Sequence, residues 1–545
     1  MKDTKILVVV PKYLTRAIPH FAMKANYNYF FPLGLGYISS VMKKEGYDVD
    51  CLNLNHHEGT IEKIMNKFLD KKSYDFACTG NNALGYNITE IIANCVHEHD
   101  TKPSFILGGP IITSEPELVF NELKPDFGII GEGERTIIEL LEHLEKNKRD
   151  FKKVKGIVYK DENGKAVFTG KREPIENIDS LPWPDFEGFE FEKQLDNLHS
   201  NYHYSTHIFD YPRVYPILGS RGCPFNCTFC YHYDRYRQRS IDNVMEELTT
   251  MVKKYKINVI LPYDECLSAN RERLYELCRR IKKLREEISW DLKWCPQLTV
   301  HNIDKESIKV LKDSGVDTIS YGFESYSPIV LKSMRKPITP ELINRTFHET
   351  INAGIGIQAN LIFGDVAETK ETAKETLDWW KKNCKGQIGM GFIQPYPGSE
   401  IYNYCLKKGI IKDKLNFIKN EISQGHWFNM TEKMSDEEIK QLKKEILDLT
   451  SEYCEFVRPI SITKTKPNIY EFRVKCPFCS EINDYKNCFI KNIWSYGFYM
   501  VCRHCHMRFF IVSFIQKLAY KHYSKVRALR DAQIRIVEYF RKKRL

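Results

Sequence analysis

A chain of 545 residues is too long for one ordinary core and divides into two to four domains. It is 42% hydrophobic and 28% charged, and no apolar run approaches the roughly 20 residues that cross a bilayer, which excludes a membrane-spanning class. The net charge is +10, of which residues 513–545 carry +8 through ten Lys/Arg against two acidic residues, so any basic partner surface is the tail.

Read in chain order, "KILVVV" at the start is a first β-strand with no cleavage-site pattern, which leaves the cytoplasm as the expected location. Seventeen cysteines in such a chain read as reduced thiols and metal ligands rather than disulfides. Through residue 150, short apolar strands alternate with amphipathic helical patterns, the signature of βαβ units in an open, Rossmann-like parallel sheet. Ligands of such sheets bind at the carboxyl ends of strands. Those ends carry Thr79 and Gly80 of "TGNNALG", Gly108 and Gly109 of "GGP", and Gly131, Glu132 and Gly133 of "GEGE". Glycines there let a bulky cofactor approach the backbone, although ordinary loop glycines would read the same way.

Residues 151–212 read as a β-rich connector ending in a Pro- and aromatic-rich stretch. A second alternation fills 213–420, and its six βα units predict a partial parallel barrel, (β/α)6. A helical linker follows over 421–465, then a small tetracysteine module over 466–512, then a basic helical tail over 513–545. The fold class is therefore α/β with a small C-terminal ribbon.

Directly after the first barrel strand, "SRGCPFNCTFCYH" places Cys223, Cys227 and Cys230 on a loop at the functional end of the barrel. Three thiolates hold three irons of a four-iron four-sulfur cluster and leave the fourth for an outside ligand. A second metal site is expected at "CPFC" and "CRHC", two CxxC knuckles separated by residues 480–501. Cys476, Cys479, Cys502 and Cys505 suit a structural zinc, with a rubredoxin-like mononuclear iron as the alternative.

The segment "CPFNCTFCYH" resembles the signature of radical S-adenosylmethionine (SAM) enzymes. The resemblance implies that the open iron binds SAM and that the cluster cleaves it to a 5′-deoxyadenosyl radical, fed by a flavodoxin or ferredoxin. It also implies cofactor contacts at Phe229, Tyr231, Asp264, Gln297, Glu324 and Ser325. At "NLIFGDVAET" the pattern departs, with Asp365, Val366 and Ala367 in place of the family's turn residues. Residues 1–150 are similar to the cobalamin-binding domain that precedes many such barrels. The histidine-ligand motif is missing, since Leu54 stands in the aspartate position ahead of His56 and Gly59, so cobalamin is expected without a histidine ligand. This layout implies methylation of an unactivated carbon or phosphorus of a small molecule or lipid. Radical C–C coupling or ring closure without methyl transfer is an alternative, as is RNA modification using the ribbon and tail, although nucleic acid is the least favoured partner. The tail, with Leu518, Val526, Leu529, Ile536 and Phe540 on one face, reads as a packed helix or as a contact to the inner membrane surface.

Overall fold

The computed structural model describes residues 2–13, 31–146, 150–422 and 428–521. Strands β1 (Lys5–Val10), β2 (Asp48–Asn53), β3 (Phe76–Gly80), β4 (Ser104–Gly108) and β5 (Phe127–Ile129) pair in parallel in the order β2-β1-β3-β4-β5. Helices on both faces explain why β1 is apolar throughout rather than alternating. Its Ile6, Val8 and Val10 enter one core with Met42 and Leu140, while Leu7 and Val9 enter a second core with Met65 and Ile92. The sheet continues past residue 150, because β6 (Ile157–Lys160) and β7 (Ala166–Phe168) add antiparallel to β5.

The central unit begins at β8 (Val214–Ile217). Two short strands, β9 (Ser220–Arg221) and β10 (Arg237–Gln238), pair antiparallel and bracket the cysteine loop. Next come β11 (Val259–Pro262), β12 (Lys293–Trp294), β13 (Gln297–Leu298), β14 (Thr318–Glu324), β15 (Gly356–Phe363) and β16 (Gly389–Phe392). Their pairing is parallel, in the orders β12-β11-β8 and β13-β14-β15-β16. β12 and β13 are halves of one strand interrupted at Pro296, which has no N–H for the ladder. The result is six parallel strands in an open barrel. Most of its helices start at a side chain that caps the exposed backbone N–H groups: Ser240, Asn270, Asp304, Thr339, Thr369 and Ser399. Each such cap stabilises its helix by about 1 kcal/mol and ends the preceding loop at a defined residue.

The helix Asp436–Tyr453 leads to a β-ribbon. Its strands are β17 (Phe456–Val457), β18 (Ser461–Lys466), β19 (Ile469–Lys475), β20 (Ile482–Phe489), β21 (Gly497–Val501) and β22 (Arg508–Val512). The ribbon has its own core of Phe472, Val474, Tyr485, Met500 and Phe509. It docks on the amino-terminal end of the barrel: the Arg508 N–H donates to Gln387, just ahead of β16, and His506 faces Asp317, just ahead of β14. Of the tail, only the helix Phe514–Lys521 is described; Val526, Leu529, Ile536 and Phe540 lie outside the described residues. Among the described residues no helix is long and apolar enough to cross a membrane.

Candidate active site between the sheet and the barrel

The carboxyl ends of the sheet strands face those of the barrel strands across a cavity of about 570 Å³. Thr79, Gly80, Gly108, Gly109, Gly131, Glu132 and Gly133 all line it, beside apolar Leu33, Leu35, Ile38 and Ile137. The barrel contributes Ser220, Arg221, Gly222, Tyr263 and Glu265 to the opposite wall.

The glycines are there for close approach. Gly109 has φ +89°, and a Cβ on it would lie 2.8 Å from the Asn81 backbone. Gly131 has φ +83°, and a Cβ there would overlap the hydroxyl of Tyr233 from the cysteine loop. These two glycines let Asn81 and Tyr233 close the cavity wall, while Gly108, with only the Thr79 carbonyl within 4 Å of a Cβ, presents bare backbone to the space. Among the described residues no histidine lines it. The His56 side chain is buried elsewhere and pairs with Glu190 at 3.3 Å. The Thr79 hydroxyl lines the wall but donates to the Val9 carbonyl.

Glu132 does more than line the cavity. Its carboxylate takes Arg221 at 2.9 Å, Arg237 at 2.9 Å and the backbone N–H of Ile175 at 2.7 Å. Arg221 also reaches Glu134 at 2.6 Å. Both arginines flank the cysteine loop, so the "GEGE" carboxylates clamp the sheet onto the barrel mouth. Burial pushes the Glu132 carboxyl up, but the hydrogen bond from Arg237 and the charge of Arg221 outweigh it and hold the group below the ordinary glutamate range.

On the cysteine loop, Cys227 is buried, Cys223 half-buried and Cys230 exposed. The loop is fastened to the segment after the helix Pro328–Ser333: the Thr228 N–H donates to the Met334 carbonyl, and the Cys227 thiol lies 3.9 Å from the Arg335 carbonyl. Phe229 packs on the second core, and Tyr231 lies against Gly398. Glu324, at φ +60°, forms a half-buried pair with Lys336 at 3.0 Å, beside Cys227 and Cys230. Gln297 stands exposed on β13 while its neighbour Leu298 is buried, which puts Gln297 on the lumen side.

Two other expected contacts are occupied by internal bonds. Buried Asp264 accepts from the Gly219 N–H and the Ser220 hydroxyl, holding the turn between β8 and β9. Ser325 bonds Thr376 and accepts the Ser327 N–H. At the departure from the family turn, buried Asp365 accepts from the Ala367 N–H at 2.9 Å.

Two residues escaped the sequence reading, and a third, Glu265, read only as sharing the acidic position of the second-strand segment with Asp264. Lys336 carries no motif, and only the packing of its helix end brings it to the cysteines. Cys266 reads as a scattered core thiol, yet its hydrogen bond to Cys223 favours the Cys223 thiolate. Glu265 faces the cavity, where burial pushes its carboxyl above the ordinary range.

A thiolate triad with an open side, at the mouth of a six-stranded parallel barrel and opposite a glycine cradle, defines a cluster enzyme that works with a second, bulky cofactor. Residues 217–379 match the model of the radical SAM superfamily, and residues 20–141 match the B12 binding domain. The chain is a radical SAM enzyme with an amino-terminal B12-binding domain, and these two domains imply a four-iron four-sulfur cluster, SAM and cobalamin. The chain is 29% identical over 420 residues to an uncharacterized methyltransferase, PH0819, of Pyrococcus horikoshii, covering 75% of this chain and 85% of that one. It is 24% identical to a cytidylyl-2-hydroxyethylphosphonate methyltransferase of Streptomyces wedmorensis, covering 76% and 84%. Among solved structures it is similar to the radical SAM methyltransferase TsrM of Kitasatospora setae, with cobalamin and a [4Fe-4S] cluster bound. That similarity has a TM-score of 0.59 at 17% identity, over 75% of this chain and 76% of that one, and concerns the fold.

Proposed function

We propose that the protein transfers a methyl group to an unactivated carbon or phosphorus of a small molecule or lipid. The observation that carries this reading is the shared cavity: the glycine cradle and the cysteine loop face each other across one space instead of forming separate sites. Methyltransferases among its relatives support it. When bound, cobalamin supplies a methyl carrier and the cluster with SAM supplies a hydrogen-abstracting radical. In this reading Cys223, Cys227 and Cys230 hold the cluster. Tyr231, Gln297 and the Glu324–Lys336 pair line the SAM side, with Phe229 as packing support. Gly80, Gly108, Gly109, Gly131 and Gly133 admit the corrin. Asp264, Ser325, Thr79 and Glu132 hold the walls in place. Glu265, facing the same space, is the residue we assign to substrate. Electrons come from a flavodoxin- or ferredoxin-type donor.

The test is an anaerobic assay of reconstituted protein with SAM, hydroxocobalamin and a reductant. Deoxyadenosine and S-adenosylhomocysteine should accumulate together, in equal amounts once a methylated product is found. Deoxyadenosine with a coupled or cyclised product, and no S-adenosylhomocysteine, would establish the alternative chemistry.

For the ribbon, we propose a structural tetrathiolate zinc at Cys476, Cys479, Cys502 and Cys505. Among the described residues theirs are the ligand atoms that all lie within 4.8 Å of one another. The sulfur pairs Cys476–Cys505 and Cys479–Cys502 are each 3.7 Å apart. A tetrahedron with metal–sulfur bonds of about 2.3 Å has edges of about 3.8 Å. Backbone N–H groups of Phe478 and His504 point at Cys476 and Cys502, as thiolates require. The location argues against an electron relay. The ribbon sits at the amino-terminal end of the barrel, whereas the cluster loop sits at the other. Strands β14 and β15, of 7 and 8 residues, span roughly 23–26 Å between those ends.

What the ribbon does hold is the segment 198–210. Ser200 and Asn201 bond the backbone of β20, and Asp210 takes the Lys486 N–H and Arg503. Cys505→Ser should lose zinc and raise amide exchange in 198–210 while leaving cluster iron in place. An iron whose oxidation state follows the cluster's would instead assign the site to electron transfer.

A further inference from the structure

We propose that the ribbon is also a docking surface for an anionic lipid bilayer. Single exposed apolar residues are normal on any protein, and only their clustering carries information. Seven of the twelve large apolar side chains exposed among the described residues fall between Ile460 and Leu518. Trp494 is 77% exposed, Phe514 58%, Ile515 55%, Leu518 48% and Ile460 58%.

Helical spacing puts Phe514, Ile515 and Leu518 on one exposed face, and local bonds bring the loop of Trp494 and the strand end before Ile460 next to that helix. The side chain of Gln516, within the helix Phe514–Lys521, donates to the hydroxyl of Ser495, next to Trp494, at 3.0 Å. The Arg458 guanidinium lies 5.5 Å from the centroid of the Phe514 ring, and Arg458 stands two residues before Ile460. The loop carrying Trp494 therefore lies beside the helix whose exposed side carries Phe514, Ile515 and Leu518. The interior side of that helix is already satisfied, since Tyr520 is buried and stacks on Phe456 at 4.7 Å.

The occupant follows from chemistry and charge. A tryptophan at a loop tip beside an amphipathic helix suits the boundary between headgroups and acyl chains. Residues 513–545, the sequence that begins at this helix, carry +8 of the chain's +10. A cationic segment of that kind gains attraction from anionic headgroups, additive over its Lys and Arg and lost with salt. Nucleic acid would share the charge and could stack bases on Trp494 or Phe514, but it has no use for the solvent-facing aliphatic Ile460, Ile515 and Leu518. Because the ribbon caps the end of the barrel away from the cysteine loop, the surface localises the enzyme at a bilayer instead of opening its cavity into one.

Flotation of the full-length holoprotein with vesicles tests this. Binding is expected to vesicles of equal phosphatidylcholine and phosphatidylglycerol, little to phosphatidylcholine alone, and loss at about 0.5 M salt, where screening reaches a few ångströms. The double substitution Trp494→Ala/Phe514→Ala should weaken binding about tenfold or more. Both side chains face solvent, so melting temperature and SAM cleavage should stay as in the parent. Unchanged binding by this variant would overturn the proposal. So would failure to bind anionic vesicles, with the same two residues instead controlling dimerisation or RNA retention.

Discussion

Cys227→Ala protein should fold normally, hold a small fraction of the parent's cluster iron and form no detectable deoxyadenosine from SAM. Cys227 is the buried member of the triad, and its loop is tied to the carbonyls of Met334 and Arg335. The sulfur cannot be replaced by a neighbour sliding in. Cys266, a spare thiol in contact with the triad, is engaged with Cys223 at the other end of the loop. With two thiolates left, a four-iron cluster loses a corner and its hold on the protein. Removing a single sulfur from a loop costs little folding energy, so thermal unfolding should shift by only a few degrees. Iron analysis, the cluster's visible absorption and the deoxyadenosine assay together check this. Full cluster content and SAM cleavage in the variant would show that the triad is not the cluster's anchor.

The second large effect is expected at Glu132. Truncation to alanine strands Arg237 against backbone carbonyls and leaves Arg221 with Glu134 alone, in a site where these side chains are mostly buried. Removing one partner from such a network destabilises by about 3–5 kcal/mol, mainly because the remaining charge stays buried. Unlike a surface pair, this network joins the cysteine loop to the sheet, so cobalamin affinity should fall along with stability. The pH dependence carries a sign. The folded carboxyl titrates below its unfolded value of 4.5, so its contribution is complete above that pH and is lost as pH falls through the lower, folded value. The parent should therefore lose more stability on acidification below about pH 4.5 than Glu132→Ala does, by the share that Glu132 contributes. Denaturant unfolding across pH, with a titration of hydroxocobalamin, measures both. Parent-like stability with parent-like cobalamin binding would reduce Glu132 to a solvated loop residue.

The sheet, the barrel and both cysteine groups were legible in the sequence, because each is written in local pattern. Apolar runs of strand length with helices between them leave few arrangements, and CxxxCxxC or CxxC spacings place thiols by chain connectivity alone. Side-chain roles were less legible. Thr79, Asp264 and Ser325 occupy the expected loop positions, but their polar atoms bond within the protein. Lys336, which no motif marks, reaches the cysteines because a helix end folds beneath the loop. A sequence position shows which residues are near a site along the chain, but not where their lone pairs and charges are used.

Chain connectivity thus determined the element order, the open cysteine triad, the closed tetracysteine ribbon and the concentration of positive charge at the end of the chain. The tertiary structure alone decided that the glycine loops and the loop bearing the triad, through Gly222, Tyr233 and Asp234, line one cavity, and that Glu132 joins the two halves. It also decided that the ribbon sits at the far pole of the barrel with Trp494 and Phe514 turned outward. These are contacts between residues tens to hundreds of positions apart. They depend on how finished elements pack, and the periodicity of a single strand or helix does not encode that packing.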